Sequence, residues 1–434
     1  MTTTTTSKTS PMNLQQTRAE IRSGGFDARL TRLYGEATDA MKARYLHLTD
    51  LYEKAFGDGN DLRFFSAPGR TEVCGNHTDH NRGKVMAAAI NLDAVACASK
   101  TDDGVIVVKS ENYPGDTIDT RVLTPQAKEH EKSAALVRGV AARFQQLGYK
   151  VGGFKSVTVN SVLKGSGMSS SAAFEVLVGT MLNYLYNDGK ISPVEIAQIA
   201  QYAENEFFGK PCGLMDQMAC SVGSFVAIDF ADPEKPVVEP VPFDFGKTGH
   251  HLVITDTKAD HADLTDEYAS IRREMEAVAG FFGKTCLRET DEDAVLGNVK
   301  AIRSALGERP VLRALHFFAE NRRVDAERAA LEAGDFEAFK ALVIESGLSS
   351  YTYNQNVFAS SAPQSQPVAL ALALSESVLK GQGAWRVHGG GFAGTIQAFV
   401  PDALLPAYKA RLESVFGDGA CYVLDIRPFG GTEV

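Results

Sequence analysis

The sequence lacks long apolar runs, paired cysteine motifs and any excess of positive charge. No stretch of about 18 apolar residues occurs in the 434-residue chain, which argues against a membrane-spanning helix. The formal net charge is −10, so binding to nucleic acid or to an anionic membrane is not expected. The opening residues MTTTTTSKTS contain no apolar segment and do not resemble a secretory signal. We therefore expect a cytoplasmic protein in which residues 1–26 form a disordered leader.

Metal-binding and disulfide patterns are also missing. The six cysteines show no C-x-x-C spacing, and most have apolar neighbours. This predicts buried, reduced thiols rather than disulfides. His250, His251 and His261 fit no zinc-binding spacing, so we interpret them as structural residues.

The length of the chain predicts two large domains. Hydrophobic residues make up 44% of the chain and charged residues 23%, which is typical of a globular protein. The composition changes after Asp229, where residues 232–249 contain four prolines. We therefore predict one domain over residues 27–230 and a second over residues 231–434.

Hydrophobic periodicity indicates helices and strands in irregular alternation, which predicts an α+β fold. Helical spacing is found over residues 37–56, 169–186, 194–207, 265–282, 299–320, 323–345 and 366–381. Strand patterns are found over residues 105–108, 157–159, 251–257, 394–400 and 421–426.

Polar and turn-forming residues are concentrated at residues 69–83, which read GRTEVCGNHTDHNRG. Burial of so many polar groups is costly without partners, so the segment suits a loop that holds a polyhydroxylated ligand. It resembles the N-terminal signature of galactokinases, whose usual form is G-R-V-N-L-I-G-E-H-T-D-Y-N-G-G. Asn76 stands where that family has Glu, and His80 stands where it has Tyr.

A glycine- and serine-rich segment, GSGMSSSAA, occupies residues 165–173 before a predicted helix. Glycine lets the backbone approach a phosphate, and the helix presents free N–H groups to it. It is not a Walker A loop, because no Gly-Lys-Ser/Thr is present. The segment is similar to the galactokinase loop P-x-G-S-G-L-S-S-S-A-A, with Leu163 at the proline position. The resemblance implies that ATP phosphates bind at Gly165, Ser166, Gly167, Ser169, Ser170 and Ser171.

Residues 203–217 read AENEFFGKPCGLMDQ and resemble the family's A-E-x-x-F-x-G-x-P-C-G-I-M-D-Q. The resemblance implies that Asp216 is the catalytic base and that Glu204 and Ser171 bind Mg²⁺. Arg70 is expected beside Asp216, where its charge would keep the carboxylate ionised and lower its pKa. Taken alone, Glu204 could lie on a solvated helix face and Asp216 could cap a helix.

A third motif, GGGFAG at residues 389–394, is close to the family's G-G-G-F-G-G. The three motifs occur in the family's order, so residues 30–434 are identified as a member of the GHMP kinase superfamily, galactokinase branch. The resemblance implies two α+β domains with the active site in the cleft between them. It assigns sugar binding to Asn76, His77, Asp79, Gly213 and Tyr268.

Two of these sugar-binding assignments have alternatives. His77 could instead be a core histidine that binds a backbone carbonyl. In the family's S-E-Y-N-x-R-R, the arginines come one residue sooner after the tyrosine than they do after Tyr268. On a helix, one extra residue rotates the positions that follow by about 100° relative to the tyrosine.

The expected function is ATP- and Mg²⁺-dependent phosphorylation of the anomeric hydroxyl of galactose by a monomeric enzyme. Galacturonate, arabinose or an N-acetylhexosamine are alternative substrates, and a non-catalytic sugar sensor on the same fold is the alternative class. Because asparagine at position 76 removes a carboxylate, we expect the pocket to tolerate a sugar altered at its distal end, including a C6 acid. His80 could compensate for the missing carboxylate.

Overall fold

Two long antiparallel strands, β1 (Arg63–Cys74) and β2 (Lys84–Thr101), lie at the centre of the larger sheet. The computed structural model describes residues 12–162, 167–210, 212–258, 264–392 and 394–434. The pairing of β1 with β2 shifts register between Pro68 and Arg70 and again between Glu72 and Cys74. Such irregularities bend a strand and redirect its side chains. Both occur in the segment that carries the conspicuous polar residues of β1.

The larger sheet has the strand order β12-β1-β2-β5-β3-β4, and β6 also pairs with β2 and β7 with β6. Its remaining strands are β3 (Val105–Ser110), β4 (Asp116–Asp119), β5 (Gly153–Asn160), β6 (Phe225–Asp229), β7 (Val237–Val241) and β12 (Thr432–Glu433). A smaller antiparallel sheet has the order β11-β8-β10-β9. Its strands are β8 (His250–Asp256), β9 (Ala384–Val387), β10 (Thr395–Pro401) and β11 (Cys421–Leu424).

Helices cover both faces of the larger sheet. Successive residues of β1 point to opposite faces and therefore pack against different helices. Phe64 packs in a core with α1 (Leu14–Arg22), α2 (Asp27–Tyr34) and α3 (Asp39–Phe56). Phe65 packs on the other side, in the core that contains α4 (Ser133–Gln146), α5 (Ser170–Tyr186) and α6 (Pro193–Ala203). Next to them, α7 (Met215–Val222) packs against β2 and β6.

The helices of the C-terminal half pack in two groups. The first group consists of α8 (Thr265–Phe281), α9 (Glu292–Gly297), α10 (Val299–Leu306) and α11 (Glu308–Glu332), which share a core. In the second group, α13 (Pro367–Leu379) and α14 (Leu405–Phe416) pack on the smaller sheet. Between them, α12 (Phe336–Ser349) contributes Phe339 and Val343 to the largest core.

The predicted α+β class is confirmed, and most predicted elements occur within a few residues of their expected limits. The helices predicted over 299–320 and 323–345 are an exception, because the chain forms α10, α11 and α12 instead. The breaks fall at Gly307 (φ +90°) and Gly334 (φ +71°), where glycine adopts a backbone conformation that other residues disfavour. The break predicted between residues 320 and 323 does not occur, because α11 continues past it and buries Val324 there.

The prediction of a disordered leader over residues 1–26 is wrong for residues 13–26. Asn13 and Gln16 form a reciprocal capping box at the start of α1, and Leu14 and Ile21 are fully buried. Arg18 ties α1 to α3 through Asp50 at 2.5 Å and Glu53 at 2.8 Å. Apolar residues two helical turns apart therefore anchor this segment.

The predicted domain boundary between residues 230 and 231 stays a prediction. Strand β7 follows that point in the chain but continues the larger sheet by pairing with β6. The C-terminal strand β12 also returns to the larger sheet, beside β1. The smaller sheet begins only with β8.

All six cysteines are free, and the predicted burial is found for all of them except Cys212, which is partly exposed. Within the described ranges, no helix has the length and apolar character needed to cross a membrane.

We expect Ile21→Ala to lower the free energy of unfolding by about 2–5 kcal/mol, because it leaves a cavity in a packed core. The measurement is urea unfolding of the full chain. Gln15→Ala, on the exposed side of α1, is the matched control and should change little. Equal stability of the two variants would show that α1 does not belong to the folded core.

Candidate active site

An ion pair with a buried arginine joins strand β1 to the first turn of α7. Arg70 Nε donates to Asp216 Oδ1 at 2.7 Å, and its Nη2 donates to Asp216 Oδ2 at 2.8 Å. This bidentate geometry fixes the plane of the carboxylate. The expected contact between Arg70 and Asp216 is therefore present.

The same pair holds the segment that leads into α5. Arg70 Nη1 also donates to the carbonyl of Gly167, and Ser169 Oγ donates to Asp216 Oδ2. Burial lowers the pKa of Arg70, but the Asp216 carboxylate outweighs this effect and raises it, so Arg70 stays charged. About a third of the Asp216 side chain is exposed (34%), which leaves the carboxylate accessible to a ligand.

The described part of the predicted phosphate loop has left-handed backbone at Gly167 (φ +72°) and Ser169 (φ +59°). Helix α5 begins at Ser170, so its first N–H groups face the loop. Ser170 Oγ accepts a hydrogen bond from Asn160, whereas Ser171 is exposed in the first helical turn. Gly165, Ser166 and Leu163 lie outside the described residues.

Glu204 is buried in a π-helical turn (Glu204–Phe208) that follows α6. Gln217 Nε2 donates to Glu204 at 2.8 Å and to Glu175 of α5 at 3.3 Å, so one amide joins two carboxylates. Burial, followed by the charge of Glu204, raises the pKa of Glu175 well above its usual value. Within the described residues, Glu175 Oε1 is buried without a hydrogen-bond partner.

These oxygen groups fit a Mg²⁺ ion that is shared with a nucleotide. Ser171 and Glu175 are one helical turn apart and share a face of α5. No group of three or more His, Cys, Asp or Glu residues suited to a metal is found in the described part of the chain. Mg²⁺ commonly takes only one or two carboxylates and completes its shell with phosphates and water.

A cavity of about 170 Å³ opens beside Met215, the residue that precedes Asp216 in α7. It is lined by Glu72, Gly75, Asn76, His77, Asp79, Val85, Met215 and Gly390. Three of the predicted sugar-binding residues, Asn76, His77 and Asp79, therefore surround one cavity. Gly213 lies against one of these residues, since a Cβ added there would be 2.7 Å from Asp79 Oδ2.

Three of the lining residues have shifted pKa values, and burial raises the pKa of Glu72. Burial lowers the pKa of His77 to about 4, and its Nε2 lies 2.9 Å from the Gly390 carbonyl. The neutral ring therefore donates to this carbonyl, as in the core-histidine alternative, while it also lines the cavity. Burial raises the pKa of Asp79, but the neighbouring His80 outweighs this and lowers it to about 2. Asp79 is thus an anionic acceptor in the cavity.

Tyr268 lies behind the third motif. Its hydroxyl donates to the Gly391 carbonyl at 3.0 Å, and a Cβ at Gly390 would lie only 2.4 Å from its ring. Among the described residues that line the cavity, Tyr268 is not found. The structure thus shows Tyr268 supporting the glycine segment, and direct sugar contact stays a prediction.

Asn76 is almost completely buried, with 1% exposure, and its side chain is held by the protein. Its Nδ2 donates to Glu72 Oε1 at 2.7 Å and to the Gly389 carbonyl at 2.8 Å. Its Oδ1 accepts from Asn356 Nδ2 at 2.6 Å. The expectation that Asn76 leaves the pocket without its carboxylate is wrong, because Glu72 supplies one there.

The sequence interpretation missed Glu72, His316, Asn356 and Arg386. His316 contacts the Asn76 carbonyl at 2.9 Å, and Arg386 Nη2 lies 3.4 Å from Glu72 Oε1. Glu72 could have been found from the sequence, because the galactokinase signature has asparagine at that position. The other three lie more than 230 residues beyond the signature in the chain and carried no local signal.

A larger surface groove, of about 400 Å³, lies between α8 and α11. Its charged residues pair with each other, as Arg309 does with Glu274 at 2.5 Å. His250 and His251 bind backbone carbonyls or carboxylates elsewhere, and His261 lies outside the described residues. Cavity size alone therefore does not identify the site.

Comparison with known proteins agrees with this geometry. The GHMP kinases N-terminal domain matches residues 135–224, and the galactokinase galactose-binding signature matches residues 50–100. A galactokinase of Streptomyces coelicolor is 31% identical over 357 residues, covering 81% of this chain and 88% of that protein.

Solved structures show the same fold. The crystal structure of Lactococcus lactis galactokinase complexed with galactose has a TM-score of 0.74 at 25% identity, covering 90% of this chain and 100% of that one. Methanococcus jannaschii mevalonate kinase is similar in fold alone, with a TM-score of 0.58 at 13% identity over 84% of this chain and 98% of that one. The chain therefore belongs to the galactokinase family of GHMP kinases.

Proposed function

We propose that the protein transfers the terminal phosphoryl group of ATP to the anomeric hydroxyl of galactose, giving galactose 1-phosphate and ADP. The observation that carries the proposal is the Arg70–Asp216 pair, together with a cavity lined by residues of the galactose-binding signature and by Met215, the neighbour of Asp216 in α7. Assay of ATP consumption with a panel of sugars tests it. The proposal would be contradicted if none of the sugars in the panel were phosphorylated.

Asp216 accepts the proton of the sugar hydroxyl as the oxygen attacks the phosphorus atom. The Arg70 fork keeps the carboxylate in one orientation. Arg70 also offsets negative charge that develops on the attacking oxygen. Most of the catalysis comes from this positioning, because phosphoryl transfer needs little covalent chemistry from the protein.

The segment before α5 and the N-terminal turn of this helix bind the phosphates through backbone N–H groups. Ser171 and Glu204, with Glu175 beside them, would hold Mg²⁺, which neutralises phosphate charge when it is bound. A cation near Glu204 would also offset the repulsion between Glu204 and Glu175.

The charge of the cavity distinguishes the alternative substrates. Glu72 and Asp79 both line it, which disfavours galacturonate because its C6 carboxylate would be repelled. Arabinose and an N-acetylhexosamine carry no such charge and remain alternatives for the sugar panel. A sensor without catalysis is disfavoured, since Arg70 and Asp216 are both in place. We further propose a cytoplasmic monomer.

We expect Asp216→Asn to lower kcat by roughly 10²- to 10⁴-fold, because the amide cannot accept the proton. MgATP binding, measured by calorimetric titration, should persist. Asp188→Asn, in an exposed turn, is the control for loss of a surface carboxylate. Near-normal kcat in Asp216→Asn would remove Asp216 from the role of base.

We expect Glu204→Gln to raise the Mg²⁺ concentration for half-maximal activity by roughly 10-fold or more, since a carboxylate ligand is lost. The measurement is a metal titration at saturating ATP and sugar. Glu206→Gln is the matched control, because Glu206 is exposed in the same π-helical turn. Identical titrations for the two variants would exclude Glu204 from metal binding.

A further inference from the structure

The galactose-binding signature of this chain contains an exchange of two residues. The usual signature has asparagine at the position of residue 72 and glutamate at the position of residue 76. This chain has Glu72 and Asn76 instead. A carboxylate and an amide are therefore both retained, but their positions are reversed.

The structure shows that the exchanged residues contact each other. Asn76 Nδ2 donates to Glu72 Oε1 at 2.7 Å, although Glu72 lies within strand β1 and Asn76 lies in the loop that follows. The second N–H of Asn76 is taken by the Gly389 carbonyl. Both N–H groups of the Asn76 amide are therefore used, so the side chain has no free donor for a ligand. Its Oδ1 accepts from Asn356.

Glu72 is in the opposite situation. It lines the cavity. Its Oε1 accepts a hydrogen bond from Asn76 and another, at 3.4 Å, from the fully buried guanidinium of Arg386. Its Oε2 has no hydrogen-bond partner among the residues that the structure describes. One carboxylate oxygen is thus fixed by the protein while the other is available in the cavity.

We propose that Glu72 is the specificity-determining carboxylate of the sugar pocket and that Asn76 is its positioning residue. This inference rests on the proposed function of the same site. Glu72 Oε2 accepts a hydrogen bond from a sugar hydroxyl, and with Asp79 it selects neutral sugars over uronic acids.

The arrangement also explains why neither residue is expected to change alone. Glutamate at position 76 would place a second carboxylate against Glu72, and two carboxylates at hydrogen-bond distance do not both ionise readily. Asparagine at position 72 would leave the buried Arg386 guanidinium without its carboxylate partner. Exchange of both residues together preserves one carboxylate next to one amide.

The test is a cycle of Glu72→Asn, Asn76→Glu and the double variant, assayed with galactose, galacturonate and ATP. Each single variant should raise the KM for galactose roughly 10- to 100-fold, the loss expected for a charge-assisted hydrogen bond. The KM for ATP should change little. The double variant should recover at least about 10-fold in kcat/KM over either single variant, because it restores the usual arrangement.

Glu72→Gln keeps the size of the side chain and can still accept from Asn76, so it isolates the charge and stays informative if Glu72→Asn unfolds. It should raise the KM for galactose and reduce discrimination against galacturonate. An unchanged KM for galactose in Glu72→Gln, or a double variant no better than the singles, would overturn the inference. Lack of sugar phosphorylation by the unmodified protein would instead refute the proposed function.

Discussion

The site depends on one buried guanidinium, that of Arg70. It orients the Asp216 carboxylate with two hydrogen bonds and binds the backbone of Gly167 with a third. Strand β1, helix α7 and the segment before α5 therefore meet at a single side chain. Burial of a charge is costly unless a partner compensates it, so these elements stabilise one another only in this arrangement. The two register shifts of β1 lie on either side of the segment that carries Arg70 and Glu72.

A second network connects the signature to distant parts of the chain. Asn76 bonds to Asn356 and to the Gly389 carbonyl, and its own carbonyl contacts His316. Burial lowers the pKa of His316 to about 3, so the ring is neutral and makes fixed hydrogen bonds. The cavity is consequently built from the N-terminal signature and the C-terminal glycine segment, and its shape depends on how the two pack against each other.

The sequence predicted what local patterns encode. The motifs predicted the contact between Arg70 and Asp216, and helical periodicity located α3 and α6 because each has a regular apolar face. It missed α1, whose stability comes from contacts with α3, and it misplaced the limits of α11, where tertiary burial outweighs local signals. The partners of Asn76 were beyond reach for the same reason. Hydrogen bonds between residues about 280 positions apart leave no periodicity to detect.

The central claim is that Arg70 and Asp216 act as one unit. The most direct measurement is a double-mutant cycle on kcat with Arg70→Lys, Asp216→Asn and the double variant, with folding checked by thermal unfolding. Lysine keeps the charge but loses the two-pronged contact. If the residues act together, the double variant should be no slower than the slower single variant, because the second change removes nothing further. If the fold-loss in kcat of the double variant equalled the product of the two single losses, the residues would act independently, and this would contradict the account.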